Sequence, residues 1–178
     1  MEYLKARRTL EEQGLVITAV VIDGRKGLKL VFSDVPVQVC HFHQVAIVTR
    51  YLTRRPKLEA GQELRRIALA LKDLDEATFT ELLREWYEKW ERFLKERTAN
   101  PLDSRRWSYT HRRIRSAYRS LKTNLPYLFT YQKYSELKIP NTTNSLDGYF
   151  GKMKELLNVH RGLSRKKRYL LISEILSK

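Results

Sequence analysis

The chain has 178 residues, 42% of them hydrophobic and 31% charged, and its 35 basic and 20 acidic side chains leave a net charge of +15. This is the composition of a folded domain, without the eighteen or so consecutive apolar residues of a membrane span or a signal peptide at its start. Its single cysteine excludes an intrachain disulfide framework and fits a reducing compartment, the cytoplasm.

Residues 2–14, EYLKARRTLEEQG, read as a charged helix closed by Gly14. The run that follows, Leu15 to Ile22, is nearly all apolar, too short and too β-branched for a helix, and predicts a strand buried on both faces. Such strands belong to parallel sheets, whose carboxyl ends open the crevice where α/β proteins place ligands. Asp23 and Gly24 stand at that end, so Asp23 is either a functional carboxylate or the start of an Asp-Gly turn. A short helix fits the residues after it, and Pro36 leads into a second strand within VPVQVCHF. Residues 24–35 are about the shortest crossover that joins two parallel strands, and the segment reads as a compact, right-handed βαβ unit. A helix from about Gln44 to Arg55 continues the alternation.

The character changes over residues 60–98. Leu64, Ile67, Ala68 and Leu71, then Phe79, Leu82, Leu83, Trp86, Trp90, Phe93 and Leu94, recur at helical spacing and predict an antiparallel helical pair with an aromatic core stripe. Residues 98–104, TANPLDS, read as a linker, and the segment from Ser104 to Pro126 as a basic helix. On that helix Trp107, Ile114, Tyr118 and Leu121 form one stripe, and Arg112, Arg115 and Arg119 another. A charge run of this kind is a solvated face or a phosphate-binding one. Residues 101–178 carry 17 basic side chains against 5 acidic, whereas residues 1–100 carry 18 against 15. The unbalanced half favours a polyanion, nucleic acid, over an anionic membrane, because its basic segments lack a broad apolar face free to insert.

Residues 138–164 begin with Pro140 and the Asn-Thr-Thr-Asn run, which resist helix and cap its start. Leu146, Phe150, Met153 and Leu157 then form an apolar stripe, and Asn144, Asp147, Gly151, Lys154 and Asn158 share the opposite face. Gly148 and Gly151 each cost a helix about 1 kcal/mol relative to alanine, which suits close approach of a nucleic-acid backbone. Asp147 is then either functional or a complement to the positive end of the helix dipole. Beyond it Arg165, Lys166, Lys167 and Arg168 extend the basic character.

The order Asp23-Gly24, then PVQVCHFH with Cys40 and His43, a helical insertion and NTTNSLDGYFGKMK resembles the mutator-like and IS256-type transposases. The resemblance covers residues 2–165 and implies an α/β, mostly α fold: a partial ribonuclease-H-like βαβ core interrupted by an all-helical insertion. The parts are a core over 1–58, an insertion carrying the basic helix over 59–138, and a C-terminal core helix with a basic tail over 139–178. It implies a DDE enzyme that cuts and joins DNA with two divalent ions, Mg2+ or Mn2+. Asp23 and Asp147 would be catalytic acids and metal ligands, Cys40 and His43 the family's Cys-x-x-His signature, and Arg112, Arg115, Arg119, Lys154, Arg165, Lys166, Lys167 and Arg168 contacts to DNA. Asp147 stands where the family has a glutamate, about 1.5 Å longer. The family's first acid precedes the N-terminal helix, so the chain reads as an N-terminally truncated transposase whose partners are DNA, an upstream transposase segment and a second copy of itself, at the nucleoid in the cytoplasm.

Other function classes predict other behaviour. A non-catalytic DNA-binding derivative binds DNA in a salt-sensitive, metal-independent way, and an unrelated nuclease hydrolyses without strand transfer. A decayed remnant does neither. Zinc at Cys40, His41 and His43 would need about four ligands, and His111 and His160 lie on distant segments without paired spacing.

Overall fold

The computed structural model describes residues 2–25 and 27–176 and divides them into two compact units, the first ending at Thr142 and the second beginning at Thr143. The fold is mostly helical with two small sheets. No described helix is long and apolar enough to cross a membrane.

The first unit opens with helix α1, Glu2–Glu12. Gly14 at φ +78° ends it, with the N–H of Leu15 donating to Leu10 O and that of Gly14 to Glu11 O, the paired bonds of a Schellman stop. Strand β1, Val20–Ile22, a four-residue helix α2, Leu28–Val31, and strand β2, Val37–Val39, follow. The strands pair in parallel, Val20 with Val37, Val21 with Gln38 and Ile22 with Val39. The expected strand over Leu15–Ile22 is thus shortened to its last three residues, leaving Leu15 and Val16 exposed. A strand extends only as far as its partner, and β2 offers three residues.

Helices α3, His41–Leu52, α4, Glu59–Ala70, and α5, Glu76–Lys95, come next. Asp75 caps α5 by accepting the Thr78 N–H at 2.7 Å. The chain then departs from the expected linker, from the single long helix and from the all-helical insertion expected over 59–138. Strand β3, Arg97–Asn100, and strand β4, Asp103–Tyr109, form an antiparallel hairpin, so Trp107 lies on a strand and not on a helical stripe. Asn100, Pro101 and Asp103 are turn formers, and they sit between strands too exposed to show hydrophobic alternation. Helix α6, Arg112–Asn124, begins beyond the hairpin and buries Ile114, Ala117 and Leu121.

The core lies where α3, α4, α5 and α6 meet, around Val48, Leu64, Leu71, Phe79, Leu83, Trp86, Leu94 and Leu121. Trp86 donates its indole N–H to Ala60 O at 3.0 Å, and its ring stacks on Tyr118. Residues 128–133, including the short helix α7, Thr130–Lys133, are tied to β2. Gln38, fully buried, donates to Leu128 O at 2.8 Å and accepts the Tyr131 N–H at 3.0 Å, and Thr130 donates to Val37 O at 2.7 Å. The helical segment thereby replaces solvent at β2.

The second unit holds helices α8, Asn144–Val159, and α9, Arg165–Leu176. The Tyr149 hydroxyl donates to Ile175 O at 2.7 Å and joins them.

Candidate nucleic-acid interface

Asp23 follows β1 directly and is half-buried. Its Oδ1 accepts the Arg25 N–H at 3.0 Å, and its Oδ2 faces Arg25 Nε at 2.9 Å. The Asp-Gly turn is therefore real, and the carboxylate sits at the carboxyl end of a parallel strand as well. Gly24 takes φ +82°, a left-handed conformation that favours glycine. A Cβ there would meet Asn124 Nδ2 at 3.6 Å, Ile47 Cδ1 at 3.7 Å and Val39 Cγ1 at 3.8 Å.

Beside this turn opens a cleft of about 640 Å³ between the crossover, α3 and α6. Arg25, Lys29 and Arg119 bring positive charge to its lining, Ser116, Ser120 and Thr123 bring hydroxyls, and no acidic residue is among the described residues that line it. Lys29 is the most constrained of the cations. Its Nζ donates to Asn124 Oδ1 at 2.8 Å and stands 3.9 Å from the centre of the Tyr127 ring. Asn124 in turn donates to Gln44 Oε1 at 2.7 Å, and Gln44 donates to Ser120 Oγ at 3.2 Å. With no carboxylate to repay it, burial pushes the Lys29 pKa down from the usual lysine range. An anion entering the cleft would reverse that shift and gain a charge-assisted hydrogen bond.

The arginines of α6 divide by role. Arg112 and Arg119 are exposed. Arg115 donates to Leu94 O at 2.7 Å, at the carboxyl end of α5, and its guanidinium lies 3.5 Å from the centre of the Tyr109 ring. It closes an orphan carbonyl of α5 against α6 and the hairpin.

Cys40, His43 and Asp23 do not gather as a three-ligand metal group among the described residues. Cys40 is fully buried, and its N–H donates to Ile22 O at 2.8 Å, continuing the sheet. His43 is half-buried against Phe42, and its Nδ1 has no hydrogen-bond partner among the described residues. His41, between them, is buried and donates from Nε2 to Leu128 O at 2.6 Å. Burial pushes its pKa down, a shift that the bond to Leu128 O only partly opposes.

In the second unit Asp147 is exposed in the first turn of α8, and its Oδ2 accepts the Thr143 hydroxyl at 2.9 Å. Lys154 is exposed on the same helix, and Arg165, Lys166, Lys167 and Arg168 are exposed at the start of α9. Four cations there oppose the helix dipole.

Comparison of the chain with family models, curated proteins and solved structures returns no match. Geometry alone therefore carries the functional reading. Among the described residues no three His, Cys, Asp or Glu side chains gather as a metal site, and Asp23 is matched by a guanidinium. Within the first unit, Asp23 and its neighbours do not by themselves fit a two-metal centre.

Lys29, Gln44, Ser120, Asn124 and Tyr127 were not legible in the sequence as site residues. Their pairing spans up to 95 positions, and Asn124 in KTNLP reads simply as the end of a helix.

Proposed function

We propose that this chain is a DNA-handling segment of a transposase of the mutator-like or IS256 type, and that its own contribution is to hold DNA phosphates at the carboxyl end of β1. The observation that carries this reading is the cleft beside Gly24, whose described lining holds no acid and in which Lys29 and Arg119 add to an Arg25 already paired with Asp23. Three further features support it: the parallel β1–β2 pair with a helical crossover, the mostly helical segment after α3, broken by the β3–β4 hairpin, and the excess of basic residues beyond residue 100. In this reading β1, α2, β2 and α3 belong to a ribonuclease-H-like core. Strand cleavage with Mg2+ or Mn2+ needs carboxylates beyond Asp23, so the chain acts as a DNA binder until those acids complete the site.

Phosphate contacts release counterions, and the logarithm of the binding constant then falls linearly with the logarithm of salt by about 0.9 per contact. The test is fluorescence anisotropy of the whole chain with labelled duplex DNA at a series of salt concentrations. A steep linear decline, unchanged by chelator, is expected. No binding at low salt, or binding indifferent to salt, overturns the proposal.

A further inference from the structure

The β3–β4 hairpin has no role in the core. Every residue of β3 is exposed, and at the tip Leu102 is 96% exposed, the largest exposure of any bulky apolar side chain described. The register explains how the tip is armed. Ala99 pairs with Trp107 and Asn100 with Asp103, so residues 104–106 have no opposite number on β3 and bulge from β4. A bulge re-aims side chains, and this one puts Arg105 and Arg106, both exposed, at the shoulder of the Pro101–Leu102 turn.

The turn is held in shape. Asn100 Oδ1 accepts the Leu102 N–H at 3.0 Å, Asp103 Oδ1 accepts the Arg105 N–H at 3.1 Å, and Arg106 Nε faces Asp103 Oδ2 at 3.3 Å. The base of the hairpin is stiffened as well. The Arg97 guanidinium covers the Trp107 ring at 3.8 Å, Thr98 and Thr110 share a 2.8 Å hydrogen bond, and Arg115 lies over Tyr109. The result is a pre-ordered ribbon that carries Arg105, Arg106 and Asp103 out to an apolar point, with Arg97 at its base.

We infer that this hairpin is a DNA-bending arm: its arginines follow the phosphates of duplex DNA while Leu102 enters the minor groove and wedges between two base pairs. The occupant follows from charge and shape. Arg97, Arg105 and Arg106 against Asp103 alone call for a polyanion, and apolar wedges flanked by basic or amide side chains are how minor-groove proteins kink duplexes, by 20–90°. This inference rests on the DNA-binding reading above, but it concerns a surface separate from the cleft lining.

The test uses the whole chain and a duplex of about 30 base pairs with a flexible TA step, labelled at both ends for energy transfer, with anisotropy recorded in parallel. Binding should raise the transfer efficiency. Leu102→Ala should lose most of that rise and Leu102→Phe should keep it, while the salt slope stays the same because no charge is removed. Leu102 is too exposed for either change to threaten folding. Arg105→Ala should lower the salt slope by about 0.9. Duplex bound without any rise, or a rise unaffected by Leu102→Ala, overturns the bending arm and leaves the cleft proposal standing. Absence of binding by anisotropy overturns both.

Discussion

Gln38 carries a prediction that follows directly from its surroundings. Its side chain is fully buried, donates to Val39 O at 2.7 Å and Leu128 O at 2.8 Å, and accepts the Tyr131 N–H at 3.0 Å. Replacing it with leucine keeps most of the volume and removes all three bonds. Leu128 O keeps a partner in His41 Nε2, but the Tyr131 N–H is left without its acceptor. An orphaned group of this kind costs about 1–3 kcal/mol, so Gln38→Leu should destabilise by roughly 2 kcal/mol, a fall in Tm of about 4–8 °C for a chain of this size. Gln38→Ala adds a cavity and should cost about 1–2 kcal/mol more. Thermal and urea unfolding followed by circular dichroism measure both. If Gln38→Leu were as stable as the parent, the tether between β2 and the 128–133 segment would not be what holds the small sheet to the helices.

Four more outcomes are expected. His41 has its folded pKa pushed below the ordinary value by burial, so the unfolded chain takes up its proton first. The corresponding stability is full above about pH 6.5 and is lost as pH falls toward the folded value. His41→Gln should flatten that acid-side decline in a Tm-against-pH series. Arg115→Ala should lower stability by about 1–3 kcal/mol, by loss of a charged hydrogen bond to Leu94 O, while leaving the salt slope of DNA binding in place. Arg119→Ala should do the reverse, lowering that slope by about 0.9 with little change in Tm. Gly24→Ala should cost about 1–2 kcal/mol in urea unfolding, because φ +82° is strained for an L side chain while the neighbouring atoms stand at ordinary contact distance.

Periodicity located most of the helices and the parallel pair, because burial imposes it: Phe79, Leu83, Trp86 and Leu94 are all buried on α5, as the stripe requires. It also set Arg112, Arg115 and Arg119 on one face of α6. What it could not convey was that Arg115 is used up by Leu94 O, 21 residues away. The hairpin escaped for the opposite reason. Its strands are exposed and so carry no apolar alternation, and the arginines that precede Trp107 merge with those of the helix beyond. Asp23 was placed correctly at the end of β1 from the apolar run alone, whereas its partner Arg25 and the Lys29–Asn124–Gln44 chain depend on contacts that only the fold creates.

In the proposed reading the cleft, and not net charge, holds DNA. The measurement that tests it compares two double variants with equal charge loss, Lys29→Met with Arg119→Met inside the cleft, and Arg66→Met with Lys72→Met, exposed residues outside its lining. The salt dependence of duplex binding is recorded for each. The cleft pair should lower the slope by about 1.8, two phosphate contacts at 0.9 each, and the outer pair should leave it unchanged. Equal losses in the two variants would contradict the claim and reduce the interaction to the overall charge of the chain.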